Sequence, residues 1–195
     1  MDKSLYILGG SPWINLVNTT YISNKQMYDI LHDPSSAFKW LGENNLLRES
    51  DVLALENDEL LDQLIEGLHS LRHLCEVILA DLKQQGKLSL NTVDQLKRFV
   101  QDVKVGLAIV PKHENLKLIS EGITARDHVM YNIVSSIIHT LDNISIDRIR
   151  ECEHQDCILH FVDTSKSGKR RWCSMELCGN RQKAAEFYAR KKNKK

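Results

Sequence analysis

The chain has 195 residues, 42% hydrophobic, 6% aromatic and 27% charged. That length suits one medium domain, or one domain with a small module, and the composition excludes disordered, collagen-like and cysteine-packed chains. The formal net charge is zero, yet residues 151–195 carry eleven Lys and Arg against six Asp and Glu, and the first 150 residues carry fifteen against twenty. Neutrality therefore conceals an acidic body and a basic tail, a distribution suited to an anionic partner.

The opening, MDKSLYILGGSPWINL, has no apolar core of signal-peptide length. The longest uncharged apolar stretch, VMYNIVSSIIHTL at 129–141, has 13 residues, too few to span a bilayer. A cytoplasmic chain with reduced thiols and no membrane partner is expected, so clustered cysteines point to a metal rather than to disulfides.

Residues 10–20 (GSPWINLVNTT) are apolar without a clear period. Asp33 and Pro34 start a helix whose apolar side carries Phe38, Trp40 and Leu41, and 46–55 adds a short turn. The strongest signal runs from Asn57 to Gln85, where Leu60, Leu61, Leu64, Ile65, Leu68, Leu71, Leu74, Cys75, Ile78, Leu79 and Leu82 recur at spacings of three and four. Asn57 caps its start and Gly86 ends it. On that apolar stripe Cys75 reads as a core residue rather than a reactive thiol. A second helix follows from Ser89 to about Val103.

The period then changes. Val105–Val110 and Leu116–Ile119 read as two strands around a loop. Helix returns from Thr124 to Asp142, with Thr124 and Asp127 at capping-box spacing. Near Ile146 the apolar stripes stop and cysteines and basic residues begin. The expected organisation is mainly α with a small β-hairpin: a helical N-terminal domain over 1–146, then a small four-cysteine module over 147–195 ending in a helix.

Cys152, Cys157, Cys173 and Cys178 form C-x4-C, fifteen residues, then C-x4-C. Two pairs of soft ligands brought together by a loop are what tetrahedral Zn(II) requires. Fewer than fifty residues bury too little apolar surface to fold alone, and a metal supplies the missing stability. Four thiolates close the coordination shell, so the zinc is expected to be structural, not catalytic. His154 and His160 lie near the first pair and are the substitute ligands.

Gly179 follows the fourth cysteine, where a turn at positive φ is expected. Asn180 is the expected N-cap of a helix from Arg181 to about Lys192. Ala184, Ala185 and Tyr188 make an apolar face on that helix, and its cations scatter around the wheel. Trp172 is expected to pack over the site. The loop between the cysteine pairs carries Lys166, Lys169, Arg170 and Arg171 among serines and a glycine, a composition able to clasp phosphates or simply to be solvated. No nucleophile elbow, phosphate loop or H-E-x-x-H pattern appears, so no enzyme activity is expected.

RRWCSMELCGNRQKA, with the preceding C-x4-C and FVDTS at 161–165, closely resembles the CGNR zinc finger of bacteria. WINLVNT (13–19) and AFKWLGENNLL (37–47) resemble the start of the ABATE domain that accompanies it, in a family described as stress-induced transcription regulators. The resemblance implies zinc on the four cysteines and a nucleic-acid role for the basic module. The leading reading is a zinc-binding, DNA-binding transcription regulator that contacts the backbone through Lys169, Arg170, Arg171, Arg181 and Lys183, with the helical domain forming a homodimer or sensing a ligand. An enzyme built on the helical body is an alternative with no motif to carry it, and two other rivals stand beside the leading reading. In one, zinc stabilises a protein- or ligand-binding module that makes no DNA contact, and the arginines are engaged internally. In the other, oxidant-driven zinc loss makes the module a redox sensor.

Overall fold

The computed structural model describes residues 3–112 and 115–192. The end of the lysine-rich terminus, 193–195, and His113 and Glu114 of the hairpin loop lie outside the described residues. The chain is mainly α with small antiparallel strand pairs. No helix among the described residues is long and apolar enough to cross a membrane.

The spine is α4 (Asp58–Gln85). The Asn57 side chain accepts from the amides of Glu59 and Leu60, and Gly86 closes the helix at φ 66°. At 1.5 Å per residue it is about 42 Å long. Leu64, Leu68, Leu71, Cys75 and Ile78 on its inner stripe have no exposed surface. Each leucine or isoleucine buried this way contributes about 1.5–3 kcal/mol against exposure, so burial rather than propensity holds the helix.

Four other helices pack on α4: α1 (Pro12–Val17), α2 (Pro34–Glu43), α5 (Leu90–Gln101) and α6 (Ala125–Asn143). The caps at Asp33, Ser89 and Thr124 all accept the expected amides, and Thr124 and Asp127 form the reciprocal box. A short α3 (Glu49–Ala54) sits between α2 and α4. The aperiodic lead-in folds as α1. It is buried nearly all round, which removes the amphipathic signal. The Trp13 indole N–H donates to Thr140 Oγ1 at 3.0 Å, and its amide donates to Ser136 Oγ at 3.1 Å, pinning α1 to α6.

Among the described residues three hairpins form where one was expected. β1 (Thr20–Ser23) and β2 (Gln26–Asp29) join through Asn24 and Lys25 at φ 49° and 62°, a left-handed pair that sets the hairpin twist. The buried Arg72 of α4 holds this hairpin by donating to both Asp29 carboxylate oxygens, at 2.8 and 2.6 Å, and to Thr19 Oγ1 at 2.6 Å. The expected hairpin is β3 (Val105–Lys112) with β4 (Asn115–Gly122), pairing Val105 with Gly122. A Cβ at Gly122 would lie 2.0 Å from the His128 amide nitrogen, so only glycine lets β4 meet α6 here. Leu107, Ile109, Leu116 and Leu118 share the outer face of this hairpin and are exposed.

The third hairpin, β5 (Ile149–Glu151) with β6 (His160–Val162), opens the cysteine module. Its second strand is closed along its free edge by the body. Asn18 donates to the His160 carbonyl and accepts from its amide, both at 2.8 Å, and the Val162 amide donates to the Gly9 carbonyl at 2.8 Å. Leu159, Phe161 and Val162 join the same apolar core as α1 and α4.

Candidate metal centre

β5, β6 and the returning segment at 171–173 bring the two cysteine pairs together. Backbone bonds from Cys152 to Leu159 (2.9 Å) and from Glu153 to Arg171 (3.0 Å) set the approach. The four Sγ atoms of Cys152, Cys157, Cys173 and Cys178 lie within 4.8 Å of one another. Cys157 and Cys173 are 3.8 Å apart, and Cys173 and Cys178 are 3.6 Å apart. A tetrahedron with Zn–S bonds of about 2.3 Å has edges of about 3.8 Å. The sulfurs therefore stand at coordination spacing rather than at disulfide length, and the donor set is all thiolate, which suits zinc.

The electrostatics favour a cation. Hydrogen bonds from the Cys157, Cys173 and Cys178 thiols pull the Cys152 thiol below its ordinary value, and Cys152 and Cys157 beside Cys173 drive that thiol up. Four thiolates at this spacing coexist only around a positive ion, and Zn(II) would supply that charge and tie the two pairs. The Cys173 amide also donates to Cys152 Sγ at 3.3 Å. Cys152, Cys173 and Cys178 are buried and Cys157 is half-buried. The two histidines have other partners. His154 Nδ1 accepts from the Asp156 amide at 3.2 Å, and His160 Nε2 faces Glu151 at 3.4 Å. Cys75 is buried in the body core, where desolvation raises its thiol.

The turn after the third cysteine differs from expectation. Ser174, not Asn180, is the cap: its hydroxyl accepts from the amides of Glu176 and Leu177 at 3.2 and 3.3 Å. One π-helical turn, Met175–Gly179, then runs straight into α7 (Asn180–Lys192), and Asn180 is already helical at φ −70°. Gly179 is not at positive φ. A Cβ there would sit 2.7 Å from Met175 Sδ and 3.1 Å from Trp172 Cδ1, so the glycine gives those side chains room. The apolar face of α7 packs on nothing: the helix has no buried residue, and Phe187 and Tyr188 are exposed.

The basic residues divide sharply. Arg170 lies inside the module. Its guanidinium covers the Phe161 ring at 4.3 Å and donates to the Trp172 carbonyl (2.9 Å) and the Cys173 carbonyl. Arg148 donates to the carbonyls of Asp163 (3.1 Å) and Ser165 (2.8 Å), and Arg150 to those of Asp147 (2.8 Å) and Arg170 (3.3 Å). Arg171 is exposed, bonded to Glu153 at 2.5 Å and stacked on the half-buried Trp172 at 4.8 Å. Lys169, Arg181 and Lys183 are exposed and have no partner among the described residues.

Sequence reasoning missed Asp163, which organises the loop. Its carboxylate accepts from the amides of Ser165 and Arg170, each at 2.9 Å, with no surface exposed. The adjacent Ser165 hydroxyl, those amides and the nearby Arg150 hold its carboxyl down at about 2. The signal was present as Asp-Thr-Ser, since aspartate two residues before an amide favours an Asx turn.

Residues 148–191 match the family model of the CGNR zinc finger. The matched region holds all four cysteines, the basic loop and most of α7, and the segments resembling the ABATE domain lie outside it. No curated protein matches the chain.

Proposed function

We propose that this protein is a non-catalytic cytoplasmic transcription regulator whose zinc finger grips the DNA backbone. The observation that carries the reading is the sorting of cations in the finger. Arg148, Arg150 and Arg170 are consumed by carbonyls, whereas Lys169, Arg181 and Lys183 are left in solvent without partners among the described residues. Arg171 joins them, because an exposed ion pair such as that with Glu153 contributes little and exchanges readily for a phosphate. Arg170, grouped with these residues by sequence, acts as scaffold in this reading. The cations of α7 do not share one face, so they suit backbone contact rather than base reading. One Zn(II) on the four cysteines makes the presentation rigid.

Binding of the zinc-loaded chain to a short duplex, titrated with salt, tests this. Four phosphate contacts require a slope of log affinity on log salt of about −3 to −4. No binding at low salt sinks the proposal.

A second reading rests on the body. Leu96, Val100, Val134 and Ile138 line a groove of about 840 Å³ between α5 and α6, within the range of small-ligand sites. Under this reading the body senses an apolar ligand or self-associates, with or without the finger touching DNA. Sedimentation velocity across a concentration series tests self-association, and a single monomeric species at all concentrations removes it.

A further inference from the structure

In the finger, the loop from Ser165 to Met175 borders a hollow of about 470 Å³, lined among others by Ser165, Ser167, Lys169, Arg171, Trp172 and Ser174. Several carbonyls in and beside the loop are already engaged. The carbonyls of Asp163 and Ser165 are taken by Arg148, that of Arg170 by Arg150, and those of Trp172 and Cys173 by Arg170. No carboxylate lines the hollow.

Donors remain. Lys169 and Arg171 bring charge. The Ser165 hydroxyl is buried beside the Asp163 carboxylate and helps hold that carboxyl down, so it fixes the loop rather than facing the hollow. Ser174 Oγ accepts from two amides, so its own proton is free to donate outward. The shape is set in advance: Asp163 bonds the amides of Ser165 and Arg170, and the Gly168 amide donates to the Ser165 carbonyl at 3.1 Å with φ +62°. A Cβ at Gly168 would fall 3.1 Å from Arg148 Nη2, so glycine lets the turn close on that guanidinium.

From this surplus of donors on a fixed loop we propose that the hollow is a phosphate subsite. Lys169, Arg171 and Ser174 grip one phosphoryl group, with Trp172 as the apolar wall beside it. Arg170, bonded to the Cys173 carbonyl, also lines the hollow and adds positive charge there. The proposal deepens the nucleic-acid reading above and takes from it only the source of the phosphate, a backbone diester rather than a free phosphate.

The full zinc-loaded chain carries its own probe, since Trp13 and Trp40 are wholly buried and Trp172 is not. Pyrophosphate and a short duplex are titrated separately against wild type, Lys169→Glu and Arg171→Ala, with Lys191→Glu on distal α7 as control. Tryptophan fluorescence and the salt slope of duplex binding are read. The expected result is a saturable Trp172 signal with pyrophosphate, weakened about tenfold in both loop variants. The duplex salt slope falls by about one in Lys169→Glu. Pyrophosphate binding without duplex binding upholds the subsite and overturns the DNA reading. Duplex binding with a slope untouched by either loop variant, and silence towards pyrophosphate, overturns the subsite and leaves the DNA reading standing. Silence towards both overturns both.

Discussion

Replacing Asn18 by alanine removes a side chain that closes His160 of β6 from both directions. Its two bonds, each 2.8 Å, satisfy the His160 amide and carbonyl, and the residue is 2% exposed. A backbone group left without a partner at a partly buried position costs about 1–2 kcal/mol, so two cost about 2–4 kcal/mol. For a chain of this size that lowers Tm by about 5–15 °C. The site of the loss is what makes the test informative. Asn18 lies at the end of α1 in the body, and β6 carries no ligand, yet β6 fixes the hairpin that presents Cys152. Asn18→Ala should therefore also speed zinc release to a colorimetric chelator, although it touches no cysteine. Asn18→Asp keeps the acceptor and loses the donor. A loss below about 0.5 kcal/mol with unchanged zinc release would refute the claim that the body holds the finger's edge.

Metal analysis should return one zinc per chain, and Cys178→Ser should abolish it; chelation should lower Tm of the wild type, because binding energy at such sites is folding energy. Arg170→Ala should cost about 2–4 kcal/mol by freeing carbonyls and the Phe161 ring face, whereas Lys169→Ala should leave unfolding within about 0.5 kcal/mol of wild type and weaken only duplex binding. Acid should destabilise the body through Asp29: burial pushes its carboxyl up, but the bonds from Arg72 and the Leu31 amide outweigh this and hold it below the ordinary range. A folded pKa depressed in this way stabilises above the unfolded value of about 4 and is lost as pH falls through the folded value. Asp29→Asn should flatten that limb of a denaturation–pH profile. Gly122→Ala should unfold the β4–α6 junction, since the added methyl would overlap the His128 backbone, and circular dichroism at rising temperature reads it.

The long helices were legible because their information is local. Asn57, Gly86, Ser89 and the Thr124–Asp127 pair name their own boundaries, and the apolar period between them does the rest. The cysteine spacing was legible for the same reason. The two short hairpins were not. Strands of three or four residues are too short to display a period, and their stability comes from Arg72 and Asn18, partners dozens of residues away. The turn at Asn24–Lys25 lacks the glycine that usually announces a left-handed pair. Arginine was the hardest residue to read. In sequence Arg170 and Arg171 are equivalent neighbouring charges. Their roles separate only once folding has created a pair of carbonyls and a phenyl face at one of them. The place of Gly179 after the fourth cysteine suggests a positive φ that the backbone does not adopt; what the glycine gives is room for the Met175 and Trp172 side chains.

The continuous core beneath β6 bears on portability. Zinc fingers are often treated as cassettes that can be moved between hosts. Here Leu159, Phe161 and Val162 are completed by residues of α1 and α4, and the free edge of β6 by Asn18 and Gly9. A cassette cut at the start of the metal-binding region would carry all four cysteines and still lack the surface that finishes its smallest hairpin. The cysteines therefore specify where a metal goes, but the unit that inheritance must keep intact is larger and includes the stretch from Gly9 to Asn18.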